Sequence, residues 1–243
     1  MKPFNDYSDI RGFCYSGGYR IPQEQLKREL GYAKSLQLNS TRIWLSEREY
    51  RKDPTDFLRK LTAFVETAWE AGISTMPILF NGNGLHPGDL EQGYEEYAKN
   101  YIKDVVQALR GEPGLLMWDV MNEPSCNDYI IEAEGEERKA RWEKVNEFLR
   151  RSCDKVRKLD SVNAVTIGHT YMGDVADTVE EVDVFSFHDY LPVRRQIEKS
   201  YLAAEELSAR VGKPFLNSEL CCLCRANPYD LALDICREHH TGS

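Results

Sequence analysis

Residues 115–124 read Leu-Leu-Met-Trp-Asp-Val-Met-Asn-Glu-Pro, an apolar run that ends at the carboxylate of Glu123. Residues 213–220 repeat this arrangement as Lys-Pro-Phe-Leu-Asn-Ser-Glu-Leu, with Glu219 near the end. Both apolar runs are too short for a typical helix, so they are predicted to be strands. Each glutamate is then expected to project from the end of its strand into a loop.

Short strand-like runs and long helix-like runs alternate along the chain. Strands are predicted at residues 10–15, 39–45, 73–80, 115–121, 164–168, 182–187 and 214–218. The segments between them repeat apolar residues at helical spacing, as in the one that carries Tyr94, Tyr97, Tyr101, Val105 and Leu109. Such alternation is typical of an α/β fold with a parallel sheet, and the number of units favours a TIM (β/α)8-type barrel. The eighth strand–helix unit is expected to be missing from this chain.

The composition is that of a globular domain. The 243 residues are 42% hydrophobic and carry a net charge of −9, and no basic run is interleaved with aromatic residues. One catalytic barrel domain over residues 1–243 is expected, with neither nucleic acid nor a membrane as a partner. The longest apolar runs are far too short to span a bilayer. The first residues lack the apolar core of a secretion signal, so a cytoplasmic location is expected, or secretion if a signal peptide has been removed.

Seven cysteines are dispersed through the chain, an odd number that favours reduced thiols over a disulfide framework. Three of them form a group with a downstream cysteine and two histidines: Cys221, Cys222, Cys224, Cys236, His239 and His240. The spacing of this group matches none of the usual zinc sites, so no metal and no cofactor are expected. A metal-dependent hydrolase that uses the group is kept as an alternative.

In an α/β barrel the reacting groups lie at the C-terminal ends of the strands. Here those ends carry a set of polar and aromatic residues: Arg42, Trp44, Asn81, Asn122, Glu123, His169, His188, Tyr190 and Glu219. Packing alone would favour apolar residues at these positions. Two carboxylates at one barrel mouth are the groups that cleave glycosidic bonds, so Glu123 and Glu219 are the candidate catalytic residues. The structural alternatives are an ion pair for Arg42 and a core position for His188.

Four of these strand ends resemble sequence signatures of glycoside hydrolase clan A. Residues 118–124 are similar to the signature of its fourth strand, and residues 213–219, with a proline before the strand, to that of its seventh. Residues 38–43, Leu-Asn-Ser-Thr-Arg-Ile, and residues 187–190, Phe-His-Asp-Tyr, resemble its second and sixth strands. The nearest family is glycoside hydrolase family 5, which contains cellulases and mannanases.

The resemblance implies a hydrolase of O-glycosyl bonds that cleaves β-glucan-type or β-mannan-type glycans with retention of anomeric configuration. Its two carboxyl groups would lie about 5 Å apart, with Glu123 as acid/base and Glu219 as nucleophile. The acid must hold a proton near neutral pH, which requires burial or a neighbouring negative charge. The nucleophile must stay ionised, and Arg42 is the cation expected to lower its pKa.

The resemblance also implies roles in substrate binding. Asn122 would form a hydrogen bond to the sugar 2-hydroxyl, Tyr190 would donate to the nucleophile, and His188 would line the same wall. Three aromatic residues are candidate platforms for the faces of sugar rings: Trp44, Tyr15 and Phe80.

Two features depart from the family pattern. The family has a histidine near the end of its third strand, and Asn81 or His86 is expected to take that place here. The family tryptophan of the eighth strand has no counterpart, because the last tryptophan of this chain is Trp142. An open barrel leaves unpaired backbone groups on the first and seventh strands, and we expect a homo-oligomer or the C-terminal segment to cover that edge. A barrel that binds carbohydrate without hydrolysis is the alternative function.

Overall fold

The computed structural model describes residues 7–91 and 98–243. Within these ranges seven parallel strands form one sheet, in which the strands follow one another in chain order. They are β1 (Gly12–Ser16), β2 (Ser40–Trp44), β3 (Ser74–Asn81), β4 (Met117–Asn122), β5 (Ala164–His169), β6 (Phe185–Asp189) and β7 (Phe215–Leu220). The sheet forms a nearly closed TIM-type barrel that lacks an eighth strand–helix unit, which confirms the predicted fold.

Helices connect the strands and cover the outside of the barrel. In the described ranges they are α1 (Gln23–Ser35), α2 (Glu47–Lys52), α3 (Pro54–Glu70), α4 (Pro87–Glu91), α5 (Lys99–Leu109), α6 (Asp128–Ile131), α7 (Gly135–Leu159), α8 (Arg194–Val211) and α9 (Tyr229–Glu238). The helix predicted around Tyr101, Val105 and Leu109 is confirmed by α5, whereas Tyr94 and Tyr97 lie outside the described residues. Nowhere in the described ranges is a helix both long and apolar enough to cross a membrane.

Local sequence determines where helix α3 begins and ends. The Asp53 side chain accepts a hydrogen bond from the backbone N–H of Asp56 at 3.0 Å, and Pro54 occupies the first turn, where an N–H is not needed. Gly72 follows the helix with a φ of 82°, a left-handed conformation that glycine adopts without strain. Between these ends one face of α3 is buried in the main hydrophobic core, and the helix contacts the strand that follows it, β3.

A second apolar cluster closes the barrel at the N-terminal ends of the strands. It consists of Tyr7, Met76, Leu116, Met117, Ala164, Val184 and Leu216, with Ile10 packed against it. The polar residues predicted for the site lie at the opposite ends of the strands. A substrate can therefore approach the barrel from one mouth.

The C-terminal segment bridges the gap between β1 and β7. The Asn217 N–H donates to the Gly242 carbonyl at 3.1 Å, and the Gly12 N–H donates to the Ser243 carbonyl at 2.6 Å. A Cβ at Gly242 would overlap a carbonyl oxygen of the segment before β1, so this close approach requires glycine. The segment thus takes the place that we predicted for it, while the homo-oligomer stays a prediction.

Candidate active site

Both candidate glutamates follow a register shift of the sheet. The β4–β5 register shifts between Asp119 and Asn122, and the β6–β7 register shifts between Asn217 and Glu219. In a regular strand Asn217 and Glu219 would face the same side. The Asn217 amide instead donates to Tyr201 of α8, outside the barrel, at 2.8 Å, while Glu219 lines the mouth. The bulge in β7 therefore aims the glutamate into the site.

His188, on β6, brings the two glutamates together. Its Nδ1 lies 2.8 Å from Glu219 Oε2 and 3.1 Å from Glu123 Oε1. One carboxylate oxygen of Glu123 and one of Glu219 lie within 4.8 Å of each other. The imidazole is fully buried, and 11% and 15% of the two glutamate side chains are exposed, so the three groups interact with little screening by water.

Arg42, on β2, is fixed by a buried carboxylate that was not among the predicted site residues. Its Nε and Nη2 donate to Asp119 Oδ2 at 2.9 and 2.8 Å, and Nη2 also donates to Asn122 Oδ1 at 2.9 Å. Its Nη1 lies 3.7 Å from Glu219 Oε2. Arg42 is therefore both a structural ion-pair partner and the cation expected beside Glu219. The sequence pointed to Asp119 only through its position inside an apolar strand, because a carboxylate is rarely buried there without a partner.

Gly168, on β5, leaves room for this buried pair. A Cβ at this position would overlap Arg42 Nη2 and would lie 3.0 Å from Asp119 Oδ2 and 3.1 Å from His188 Nε2. The backbone of Gly168 takes part as well, because its N–H donates to Asp119 Oδ1 at 3.1 Å and its carbonyl accepts from the Glu123 N–H at 2.7 Å. The glycine thus lets β5 approach the charged centre closely.

The loop after β3 contacts the acid/base candidate. Asn122 Nδ2 donates to Asn81 Oδ1 and to Asn83 Oδ1, each at 3.0 Å. Asn83 Nδ2 donates in turn to Glu123 Oε2 at 3.1 Å. His86 lies away from the cavity, where its Nδ1 accepts from a backbone N–H of its own loop at 3.2 Å. Two asparagines therefore occupy the place expected for Asn81 or His86, and Asn83 was not predicted.

The surroundings of Glu219 keep its carboxylate ionised. Burial acts to raise its pKa, but the hydrogen bond and charge of His188 outweigh burial and bring the pKa below its ordinary value. The charge of Arg42 and a hydrogen bond from Tyr190 act in the same direction. Burial and the charge of Glu219 raise the pKa of Tyr190, so its hydroxyl stays a protonated donor. A nucleophile requires this ionisation state.

Glu123 also has a lowered pKa in the free site. Burial acts to raise the pKa, but the hydrogen bond and charge of His188, followed by the hydrogen bond from Asn83, lower it overall. The charge of Glu219 acts to raise it. The raised pKa expected for the acid is thus absent from the free site, because two N–H donors stabilise the charged form.

The site opens into a cavity of about 360 Å³. The residues that line it are Trp44, Asn81, Asn83, Asn122, Glu123, Tyr190, Glu219, Cys222 and Arg225. All of them except Asn83, Cys222 and Arg225 were predicted site residues. These three lie in loops beyond the strand ends, and hydrophobic periodicity does not predict the course of such loops.

Two of the three predicted stacking platforms lie outside the cavity. The ring of Tyr15 contacts that of Phe64 on α3, with 6.0 Å between centroids. Phe80 is 5% exposed and packs edge-on against Tyr101. Neither residue can stack on a sugar in this cavity, so that prediction is wrong for both. Trp44 lies at the cavity, with the Arg42 guanidinium 5.2 Å from its ring centroid.

His169 and Trp118 belong to the core. The Nε2 of His169 lies 2.7 Å from the hydroxyl of Thr178, and burial lowers the pKa of the imidazole to about 3, so it is uncharged. The indole N–H of Trp118 donates to Asp160 Oδ2 at 2.9 Å, and its ring is fully buried. Both residues therefore stabilise the barrel behind the site.

The group of cysteines and histidines is divided between separate places. Cys222 Sγ and Cys224 Sγ lie 3.2 Å apart, whereas Cys236 Sγ lies 3.0 Å from the Tyr201 hydroxyl. His239 Nδ1 lies 2.7 Å from a glutamate of α8. Within the described part of the chain, the side chains close enough to hold a metal ion together are the two glutamates and the histidine of the site, with no cysteine among them.

Comparisons with known proteins bear on this site. The family model for cellulase, glycosyl hydrolase family 5, matches residues 9–218. A comparison with curated proteins gave no significant match. One similar solved structure is the hyperthermostable endo-1,4-β-D-mannanase from Thermotoga petrophila RKU-1, with 15% identity, a TM-score of 0.73 and coverage of 96% of this chain and 86% of that one.

Two further structures have the same fold. The β-1,4-mannanase of the sea hare Aplysia kurodai shows 16% identity and a TM-score of 0.64, with coverage of 87% of this chain and 78% of that one. The exo-β-1,4-mannosidase of Opitutaceae bacterium strain TAV5 shows 16% identity and a TM-score of 0.71. Coverage is 98% of this chain and 52% of that one, so the chain spans about half of its length.

At these identities the solved structures show the fold alone, and the family match carries the assignment. It extends from the segment before β1 into β7 and includes Glu123, and Glu219 directly follows the matched range. The chain therefore belongs to glycosyl hydrolase family 5, and it is a glycosidase that acts on β-linked glycans.

Proposed function

We propose that this glycosidase retains anomeric configuration through a double displacement, with Glu219 as nucleophile and Glu123 as acid/base. The separation of the two carboxylates carries the proposal, since one oxygen of each lies within 4.8 Å of the other. Retaining enzymes place the two carboxyl groups about 5–5.5 Å apart, whereas inverting enzymes separate them by about 6.5–9.5 Å to admit a water. The short separation favours direct attack by a carboxylate.

In the first step Glu219 attacks the anomeric carbon while Glu123 gives a proton to the leaving glycosidic oxygen. Glu219 is suited to attack because its neighbours keep it ionised. Glu123 takes up its proton as the sugar enters, because a sugar between the carboxylates excludes water and burial then favours the neutral acid. The negative charge of Glu219 acts in the same direction.

In the second step Glu123 acts as the base. Formation of the glycosyl ester removes the negative charge of Glu219, and with it one cause that raises the pKa of Glu123. Glu123 then returns to the ionised state, in which it can take a proton from the incoming water. The hydrogen bonds from His188 and Asn83 hold the carboxylate in place during this exchange of roles.

Asn122 is the proposed partner of the sugar 2-hydroxyl. Its Nδ2 donates one hydrogen bond to Asn81 and one to Asn83, and its Oδ1 accepts one hydrogen bond from Arg42. An amide oxygen has two lone pairs, so Oδ1 can accept a further hydrogen bond. The amide is thus oriented before substrate binds, and such preorganised groups stabilise a transition state at little cost in reorganisation.

We further propose a β-linked hexose glycan of the β-mannan or β-glucan type as substrate. The family is named for cellulase, and the similar structures described above include two mannanases and a mannosidase. Trp44 offers an aromatic face at the cavity, where an apolar face of a sugar ring can pack.

The test is hydrolysis of aryl β-mannosides and β-glucosides, with the anomeric configuration of the first product followed by proton NMR. We expect the β anomer to appear first, and we expect turnover to be lost in Glu219→Ala. An α anomer that appears first would contradict retention. Binding of β-glycans by the unmutated protein without turnover would support the carbohydrate-binding alternative instead.

A further inference from the structure

A well-anchored loop after β7 places Arg225 at the catalytic cavity. The loop is closed by Asn227, whose Oδ1 accepts from the Cys221 N–H at 2.7 Å and whose Nδ2 donates to the Leu191 carbonyl at 2.9 Å. The carbonyl of Cys222 accepts from the N–H groups of both Arg225 and Asn227, at 3.0 and 3.1 Å. Asn227 is fully buried, so its hydrogen bonds anchor the loop to the protein beneath it. The backbone of Arg225 is therefore anchored beside the cavity, which its side chain lines.

The guanidinium of Arg225 stacks on a side chain of the site. Its central carbon lies 4.8 Å from the ring centroid of Tyr190, the residue that donates to Glu219. Burial raises the pKa of Cys126, which follows β4, and the charge of Arg225 opposes that rise. The cation thus acts on both the β6 and the β4 sides of the mouth.

The donors of Arg225 are free, in contrast to those of Arg42. Arg42 has a carboxylate and an amide as hydrogen-bond partners. Among residues 7–91 and 98–243, no carboxylate forms an ion pair with Arg225, and no side-chain hydrogen bond involves its guanidinium. A guanidinium that faces a cavity in this state can bind a planar anion through two parallel hydrogen bonds.

The charge of the cavity makes such a cation significant. Glu123 and Glu219 are both ionised in the free site, so they repel an anionic substrate. A neutral sugar needs no compensating charge, whereas a sugar that carries a carboxylate does. Among the described residues that line the cavity, Arg225 is the cation that could supply this charge, since Arg42 is already paired with Asp119.

We propose that Arg225 adapts the cavity to an acidic β-glycan, in which the hexose beside Tyr190 is oxidised at C6 to a uronic acid. This inference rests on the proposed glycosidase function and narrows its substrate class. The uronate carboxylate would accept two hydrogen bonds from Arg225, and the Tyr190 ring would hold the guanidinium in orientation by a cation–π contact.

The experiment compares aryl glycosides that differ only at C6, namely β-glucuronide with β-glucoside and β-mannuronide with β-mannoside. The unmutated enzyme is expected to show a higher kcat/KM for one uronide than for its neutral counterpart. In Arg225→Gln the ratio of the two kcat/KM values is expected to fall roughly 10-fold to 100-fold, as for the loss of hydrogen bonds to a charged group. Arg195→Gln, which changes an exposed arginine of α8, serves as the matched control and should leave the ratio unchanged.

A binding measurement separates this inference from the proposed function. Calorimetry with Glu219→Gln should show binding of an aryl β-uronide. This binding should be lost when Arg225→Gln is added to the variant. Preference for the neutral glycosides, or a ratio that does not respond to Arg225→Gln, would overturn the inference while leaving the glycosidase function intact. If no glycoside is hydrolysed, the proposed function fails, and the binding measurement alone decides the role of Arg225.

Discussion

Asn83 Nδ2 donates a hydrogen bond to Glu123 Oε2 at 3.1 Å, from the loop after β3, where Asn81 or His86 was expected to replace the histidine of the family. The same amide accepts from Asn122 through its Oδ1 at 3.0 Å. One side chain thus positions the acid/base candidate relative to the residue proposed for the 2-hydroxyl. Because Gly82 lacks a Cβ, which would overlap the Glu123 carbonyl, the loop can approach β4 this closely.

Replacement of Asn83 should change the pH dependence of catalysis. Asn83→Ala removes a donor that favours the ionised form of Glu123, so the pKa of that carboxyl should rise. The alkaline limb of the kcat/KM profile, where the acid loses its proton, should therefore move to higher pH. Loss of the hydrogen bond that holds Glu123 should also lower kcat/KM roughly 10-fold. Asn83→Asp places a negative charge beside Glu123 and should move the limb further. An alkaline limb that stays in place in both variants would show that Asn83 does not act on Glu123.

The buried pair of Arg42 and Asp119 should stabilise the barrel. Asp119→Ala leaves the Arg42 guanidinium buried without its main partner, which is expected to cost about 3–5 kcal/mol of unfolding free energy in urea denaturation. Glu147→Gln removes a carboxylate from an exposed ion pair on α7 and serves as the control, with an expected change below about 1 kcal/mol. Equal small changes in both variants would contradict the structural role of the pair.

His169 should make folding stability depend on pH in a defined window. Its pKa is lowered by burial from 6.5 to about 3, so between these values the unfolded chain binds a proton that the folded chain does not. The stability that the neutral His169 contributes is therefore fully present above the pKa of the unfolded chain, and it is lost as the pH falls towards the pKa of the folded chain. Between pH 6.5 and 5 the loss should amount to roughly 2 kcal/mol in the unmutated protein, and it should be absent from the stability curve of His169→Gln. Parallel curves for the two proteins would rule out a neutral buried His169.

The contact of the C-terminal segment with β1 and β7 can be tested at Gly242. Gly242→Ala should destabilise the fold by about 1–3 kcal/mol, because the added Cβ overlaps backbone. The amides of Gly12 and Asn217, which donate to this segment, should also lose protection in hydrogen exchange. Gly173→Ala, at a position with open space, is the control. Unchanged protection at both amides would show that the segment does not pair with the sheet.

Much of the barrel could be predicted from sequence, because two different periodicities alternate along the chain. Polar residues that end buried strands could be recognised for the same reason, as with Arg42, Asn122 and His188. The register shifts could not be predicted, since regular alternation would place Glu219 on the same side as Asn217. Only the bulge turns the glutamate into the mouth.

The residues that were missed lie where periodicity gives no information. Asn83 and Arg225 belong to loops whose course depends on hydrogen bonds to other parts of the chain, such as those of Asn227. Phe80 and Tyr15 were assigned to the cavity from their positions near strand ends, but each side chain faces the helices. Adjacent residues of a strand point to opposite sides of the sheet, so an error of one position in a predicted strand places a core side chain in the cavity.

The central claim is that Glu219 becomes covalently linked to the sugar. The most direct measurement is mass spectrometry of the protein after incubation with a 2-deoxy-2-fluoro-β-glycoside that has a good leaving group, followed by peptide mapping. We predict that one fluoroglycosyl unit is found on the peptide that contains Glu219, and that Glu219→Gln abolishes the labelling. A label on another residue, or no label on an enzyme that hydrolyses the parent glycoside, would contradict the account.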